Sequence, residues 1–183
     1  MKICYVTGNE LKFKLAKKVF SKLDIEVIQN KMETPEIQSL DSKEVAKFSA
    51  KWAANKLGIP VIKNDCAFCI KSLDNFPGAL AKYTEDTIKP EGFLKLLEGL
   101  NKDCYWEEVL AYCEPGKEPV SFSSFTYGKI SNNVREGRGW GYDKIFIPKG
   151  DTRTFSEMTE DEQIDCFSTN AYKELVDYIR RNN

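Results

Sequence analysis

The chain has 183 residues, 42% of them hydrophobic and 30% charged, which suits one globular domain with a substantial core. A formal net charge of −1 excludes the basic field of a general nucleic-acid binder, and no apolar run is long enough for a membrane span. With 0 histidines, Ser-His-Asp and Cys-His catalysis and every His-bearing zinc site are excluded, leaving carboxylates, Lys, Tyr, Cys or an oxygen-held metal.

Residues 2–6 read as a buried strand, and the chain opens without the pattern of a signal peptide, so reduced cysteines and a cytoplasmic location are expected. Thr7-Gly8-Asn9 turns into a helix that places Leu11, Leu15, Val19, Phe20 and Leu23 on one face. Ile25 to Gln29 reads as a second strand, followed by a polar loop around Thr34-Pro35-Glu36-Ile37-Gln38. A helix starting near Asp41-Ser42 is expected to turn Val45, Phe48, Trp52 and Ala53 inward and to end near Gly58. Pro60 opens a strand through Asp65, and Phe76-Pro77-Gly78 marks a loop. Pro90 suits the first turn of a helix through Phe93, Leu94 and Leu97, which Gly99 can close. Tyr105 to Cys113 and Val120 to Ile130 read as a hairpin, Tyr142 to Ile147 as another strand, and the residues from Ser168 as a last helix. The pattern is mixed α/β.

Four stretches could carry chemistry. Thr7-Gly8-Asn9-Glu10-Leu11-Lys12 joins a strand, a small-residue turn and a helix start, which offers backbone N–H groups and a dipole end to an anion. Lys12 can reach the same anion, although a plain capped helix with an exposed Lys fits the residues as well. Glu36 and Asp65, a loop carboxylate and one at a strand end, stand where α/β folds place ligand chemistry, and two such groups can hold Mg²⁺. Solvated loop charges are the plain alternative. Cys66 and Cys69 form a C-x-x-C, but three residues apart on a strand they point to opposite faces, which favours buried, inert thiols over a shared metal. Arg135 to Asp143 combines glycines with Trp140 and Tyr142, so it suits either a base-stacking loop or a tight turn over a core.

Set in order, these pieces resemble one family, the inosine triphosphate pyrophosphatases, also called Ham1. The resemblance is carried by Thr7-Gly8-Asn9-x-x-Lys12, Pro35-Glu36-Ile37-Gln38, Ala50-Lys51, Asp65, Phe76-Pro77-Gly78, Lys89-Pro90-Glu91-Gly92-Phe93, Gly139-Trp140-Gly141-Tyr142-Asp143 and Phe155-Ser156-Glu157-Met158. It implies one ITPase-like domain over 1–183, an elongated two-lobed mixed sheet flanked by helices, a cleft between the lobes, and a homodimer. It also implies Mg²⁺-dependent hydrolysis of a nucleoside triphosphate to monophosphate and pyrophosphate, with no nucleic-acid or membrane partner.

Residue by residue, the resemblance places Thr7, Gly8, Asn9, Lys12 and Lys51 on the triphosphate and Glu36 with Asp65 on the metal. Asp65 would also prepare the attacking water, with Lys12 and Lys51 neutralising charge. Trp140, Gly141, Tyr142 and Asp143, with Gln163, Ser168, Thr169 and Asn170, would surround the base. The chain departs from the family pattern at three places. Asn64 stands where an acid is usual, Leu80-Ala81 replaces Tyr-Ser, and the segment beyond Met158 lacks the usual Lys and Ser-His-Arg. These departures imply an altered base preference. They also leave open a diverged homologue that binds nucleotides as a sensor or partner protein.

Overall fold

The computed structural model describes residues 2–182, so Met1 and Asn183, the ends of the expected domain, lie outside the described residues. The strands are β1 (Lys2–Val6), β2 (Glu26–Asn30), β3 (Val61–Ile70), β4 (Pro77–Gly78), β5 (Asp103–Cys113), β6 (Val120–Ile130) and β7 (Phe146–Pro148). The helices are α1 (Glu10–Ser21), α2 (Ser42–Leu57), α3 (Ala81–Thr87), α4 (Lys89–Leu96), α5 (Glu160–Cys166) and α6 (Asn170–Asn182). Strand order is β2-β1-β3-β5-β6-β7, with β4 on β3. Strand β1 runs parallel to β2 and β3, whereas β4 on β3 and β7 on β6 are antiparallel. The expected mixed α/β sheet is present.

The chain forms two compact units, one taking in residues up to Asp65, Glu108–Ser124 and Thr169 onward, the other Cys66–Glu107 and Phe125–Ser168. In the first, α1 starts on an Asn9 cap and buries Leu15, Ala16, Val19 and Phe20. Phe20 meets Tyr172 of α6 edge-on, with ring centroids 5.3 Å apart. Helix α2 is capped by Asp41 and ends at Gly58, whose left-handed φ of 69° suits glycine.

The inward face of α2 is not the expected one. Val45, Ala46, Ser49, Ala50, Ala53 and Ala54 are buried, while Phe48 is 42% and Trp52 36% exposed. The reason is spacing. Ala46, Ala50, Ala53 and Ala54 bring the helix close to Cys4, Val6, Val61, Val109 and Ala111, and an aromatic ring on that stripe would hold it away.

The second unit packs around Phe68, Phe93, Tyr142, Phe146 and Phe155. Phe68 lies 4.2 Å from the Tyr142 ring centroid and 4.7 Å from that of Trp106. Here a second expectation fails: Gly141–Lys144 coils as a 3₁₀ turn, and the strand begins only at Phe146. Gly141 adopts φ 57°, which swings Tyr142 into the core, where its hydroxyl pairs with Thr84 Oγ1 at 2.7 Å. Helices α3 and α5 are additions to the sequence reading. The second had a legible signal, a capping box in which Thr159 and Glu162 satisfy each other's backbone N–H groups.

Candidate active site

In the first unit, β1 ends at Val6 and Thr7 begins the turn. The Thr7 N–H donates to the Asn30 carbonyl at 2.9 Å, and Thr7 Oγ1 accepts the Asn9 N–H at 3.1 Å. Asn9 Oδ1 accepts the Lys12 N–H at 3.1 Å, which fixes the first turn of α1. Gly8 is exposed, and a Cβ built on it would meet nothing within 4 Å. The turn therefore presents bare backbone at a 12-residue helix N-terminus, with Lys12 one turn in.

The expected carboxylates belong to the same unit as this turn. Asp65 is half-buried on β3, and Glu36 is exposed on a loop tied down where Ser49 Oγ donates to the Pro35 carbonyl at 3.0 Å. Lys63, two residues before Asp65, senses both. Burial lowers its affinity for a proton, Glu36 and Asp65 raise it, and Lys12 lowers it further. Lys12, Glu36 and Asp65 thus all act electrostatically on Lys63. Lys51 of α2 pairs with Glu118 at 2.5 Å, both side chains reaching solvent.

The donors available to a metal are carboxylate oxygens. Among the described residues, no three or more His, Cys, Asp or Glu side chains gather into a metal-holding group. Mg²⁺ does not require such a cage, since it takes one or two carboxylates and keeps waters and substrate phosphates as its other ligands. Glu36 and Asp65 fit that demand.

Two members of this neighbourhood do not stand out in the sequence. Lys63 reads as a plain strand residue, although its i, i+2 relation to Asp65 puts both on one strand face. Glu108 of β5 reads as part of an apolar strand. It is 6% exposed, and its Oε1 accepts from Tyr172 Oη at 2.9 Å and Asn64 Nδ2 at 3.3 Å. A carboxylate within Tyr105 to Cys113 was the available signal.

The second unit holds Trp140, Gly141, Tyr142 and Asp143 together. Trp140 is 54% exposed, and Lys82 Nζ sits 3.5 Å from its ring centroid. Glu85 accepts the Tyr142 N–H at 3.2 Å, and burial holds its carboxyl above the usual range. Burial likewise pushes Asp143 up to about 6, partly offset by the Trp140 backbone N–H that it accepts. An exposed indole beside a partly dehydrated carboxyl suits a flat ring bearing N–H donors. Gln163 is buried, with its amide committed to the Phe155 carbonyl at 2.7 Å, and Ser168 donates its N–H to Thr126 Oγ1 at 3.0 Å. In the first unit, Thr169 is half-buried and Asn170 is the exposed first residue of α6.

Cys66 and Cys69 both lie on β3 and form no disulfide. Cys69 is buried, and burial raises its thiol above the ordinary range, as befits an inert core group. Cys66 is only half-buried, less enclosed than the sequence suggested.

The sequence pattern of the Ham1 family matches residues 3–178. A dITP/XTP pyrophosphatase of Methanopyrus kandleri is 39% identical over 184 aligned positions, covering 100% of this chain and 98% of that protein. One of Thermococcus kodakarensis is 36% identical, covering 100% and 99%. Among solved structures, a HAM1 protein from Coxiella burnetii superposes with a TM-score of 0.77 over 99% of each chain at 22% identity, which bears on the fold alone. The ordered motifs, the α/β architecture and this end-to-end similarity together place the chain in the Ham1 family.

Proposed function

We propose that the protein is a nucleoside triphosphate pyrophosphatase that clears non-standard purine nucleotides, releasing monophosphate and pyrophosphate. The observation that supports this reading is that Lys12, Glu36 and Asp65 all act electrostatically on Lys63, with Lys12 one turn into a helix whose N-terminus follows a bare glycine turn. The names of the relatives, dITP/XTP pyrophosphatases, support an enzyme over a nucleotide-binding sensor or partner.

Backbone N–H groups from Gly8 onward, with Thr7, Asn9, Lys12 and Lys51, bind phosphate oxygens. Lys51 exchanges its exposed partner Glu118 for them at little cost, because such surface pairs contribute under about 1 kcal/mol. Asp65 orients a water toward the α-phosphorus and accepts its proton, and the lysines neutralise charge growing on the leaving pyrophosphate. Mg²⁺, when bound by Glu36 and Asp65, supplies further charge neutralisation at the phosphates. In the second unit, Trp140 stacks on the base, and Asp143 accepts from a ring N–H. No helix among the described residues is long and apolar enough to cross a membrane. A cytoplasmic location belongs to the same reading. The family resemblance supports a homodimer.

The test is pyrophosphate release from ITP, XTP, dITP and the standard triphosphates, with Mg²⁺ and with EDTA. Release from the inosine and xanthosine nucleotides, abolished by EDTA, is expected. Asp65→Asn should then lower kcat about 100-fold or more while the protein stays folded. No turnover on any triphosphate, with nucleotide binding retained, would leave the sensor reading in its place.

A further inference from the structure

Glu108 is a buried carboxylate that the proposed chemistry does not yet use. It lies on β5, the sheet neighbour of the strand β3 that carries Asn64, and both residues belong to the first unit. Both of its hydrogen bonds fall on Oε1, one from Asn64 Nδ2 at 3.3 Å and one from Tyr172 Oη at 2.9 Å. Oε2 is buried and has no hydrogen-bond partner among the described residues. A fold seeking only stability gains little from this arrangement, because a buried carboxylate is costly unless both oxygens are satisfied. The cation that acts on Glu108 is Lys12, which offsets part of the burial cost. Glu108 is therefore tied in two directions. One hydrogen bond reaches the residue that precedes Asp65, and the other reaches Tyr172 of α6.

We infer that Glu108 is a positioning residue for hydrolysis, fixing Asn64 and so the strand from which Asp65 projects. The inference rests on the pyrophosphatase reading and extends it to a residue that contacts neither substrate nor water. It also accounts for Asn64, since an amide donor complements Glu108 where an acid at 64 would set two carboxylates against each other.

Three variants of the full chain test it, each measured for kcat, KM, melting temperature and calorimetric affinity for a non-hydrolysable triphosphate. Glu108→Leu removes the acceptor for both Asn64 and Tyr172 and keeps the bulk of the side chain. It should lose about 10-fold or more in kcat and change KM and analogue affinity by less than about threefold. Tyr172→Phe removes only the other bond to the same oxygen and should lower the melting temperature with kcat within about twofold. Asn64→Ala should reproduce the kcat loss, and the double variant Asn64→Ala/Glu108→Leu should be no worse than either single one. A Glu108→Leu enzyme within threefold of wild-type kcat overturns the inference, as do additive losses in the double variant. If Glu108→Leu does not fold, an unaffected Asn64→Ala kcat overturns it alone. A wild type without turnover would overturn the pyrophosphatase reading and this one with it, whereas wild-type turnover with indifferent variants overturns only this one.

Discussion

Replacing Asp143 with asparagine should make the protein more stable at neutral pH and leave it unchanged in acid. Burial raises the Asp143 carboxyl from its ordinary 3.8 to about 6. Between those values the folded chain keeps a proton that the unfolded chain has released, so stability falls as pH rises through that window. The contribution is fully present below about 3.8 and lost above about 6. At about 1.4 kcal/mol per pH unit, the whole effect is at most about 3 kcal/mol. Asparagine is neutral throughout, and its Oδ1 can still accept the Trp140 N–H. For a chain of this size, about 3 kcal/mol corresponds to roughly 6–12 °C in melting temperature. Thermal melts of both proteins from pH 4 to 8 should show curves that coincide near pH 4 and separate through pH 6, with Asp143→Asn the higher. A gap independent of pH, or a less stable variant at pH 8, would refute the argument from burial. On the proposed reading, in which Asp143 accepts from the base, the same substitution should also raise KM for inosine and xanthosine triphosphates.

Gly141→Ala should destabilise the second unit by about 1–3 kcal/mol, since a Cβ at φ 57° is strained and would also run into the Glu85 carboxylate. Urea melts read the loss, and a rise in KM larger than any fall in kcat would place the damage on the base side. Cys66→Ser/Cys69→Ser should leave turnover within about twofold and metal content unchanged by elemental analysis, because strand neighbours three apart do not share a ligand. Loss of bound metal would restore the C-x-x-C as a site.

The period-3.6 apolar stripes, the Asn9 and Asp41 caps and the apolar strands were legible along the chain, because each is set by neighbours within a few residues. So was the turn from Thr7 to Lys12, in which Thr7, Asn9 and Lys12 satisfy one another locally. The ordered motifs fixed the family for the same reason.

What required the tertiary structure involves partners far apart in sequence. The inward face of α2 depended on how near the alanine stripe could come to the strands, so Phe48 and Trp52 turned outward against expectation. Tyr142 left its expected strand because Thr84 and Phe68 had room for it. Lys63 became a member of the site only through Glu36 and Lys12, and Glu108 only through Asn64, Tyr172 and Lys12. A carboxylate within an apolar strand says nothing of which side chains lie across it; that is set by strand pairing and helix docking. The sequence alone thus determined what chemistry the chain is equipped for, and packing decided which charges face one another to carry it out.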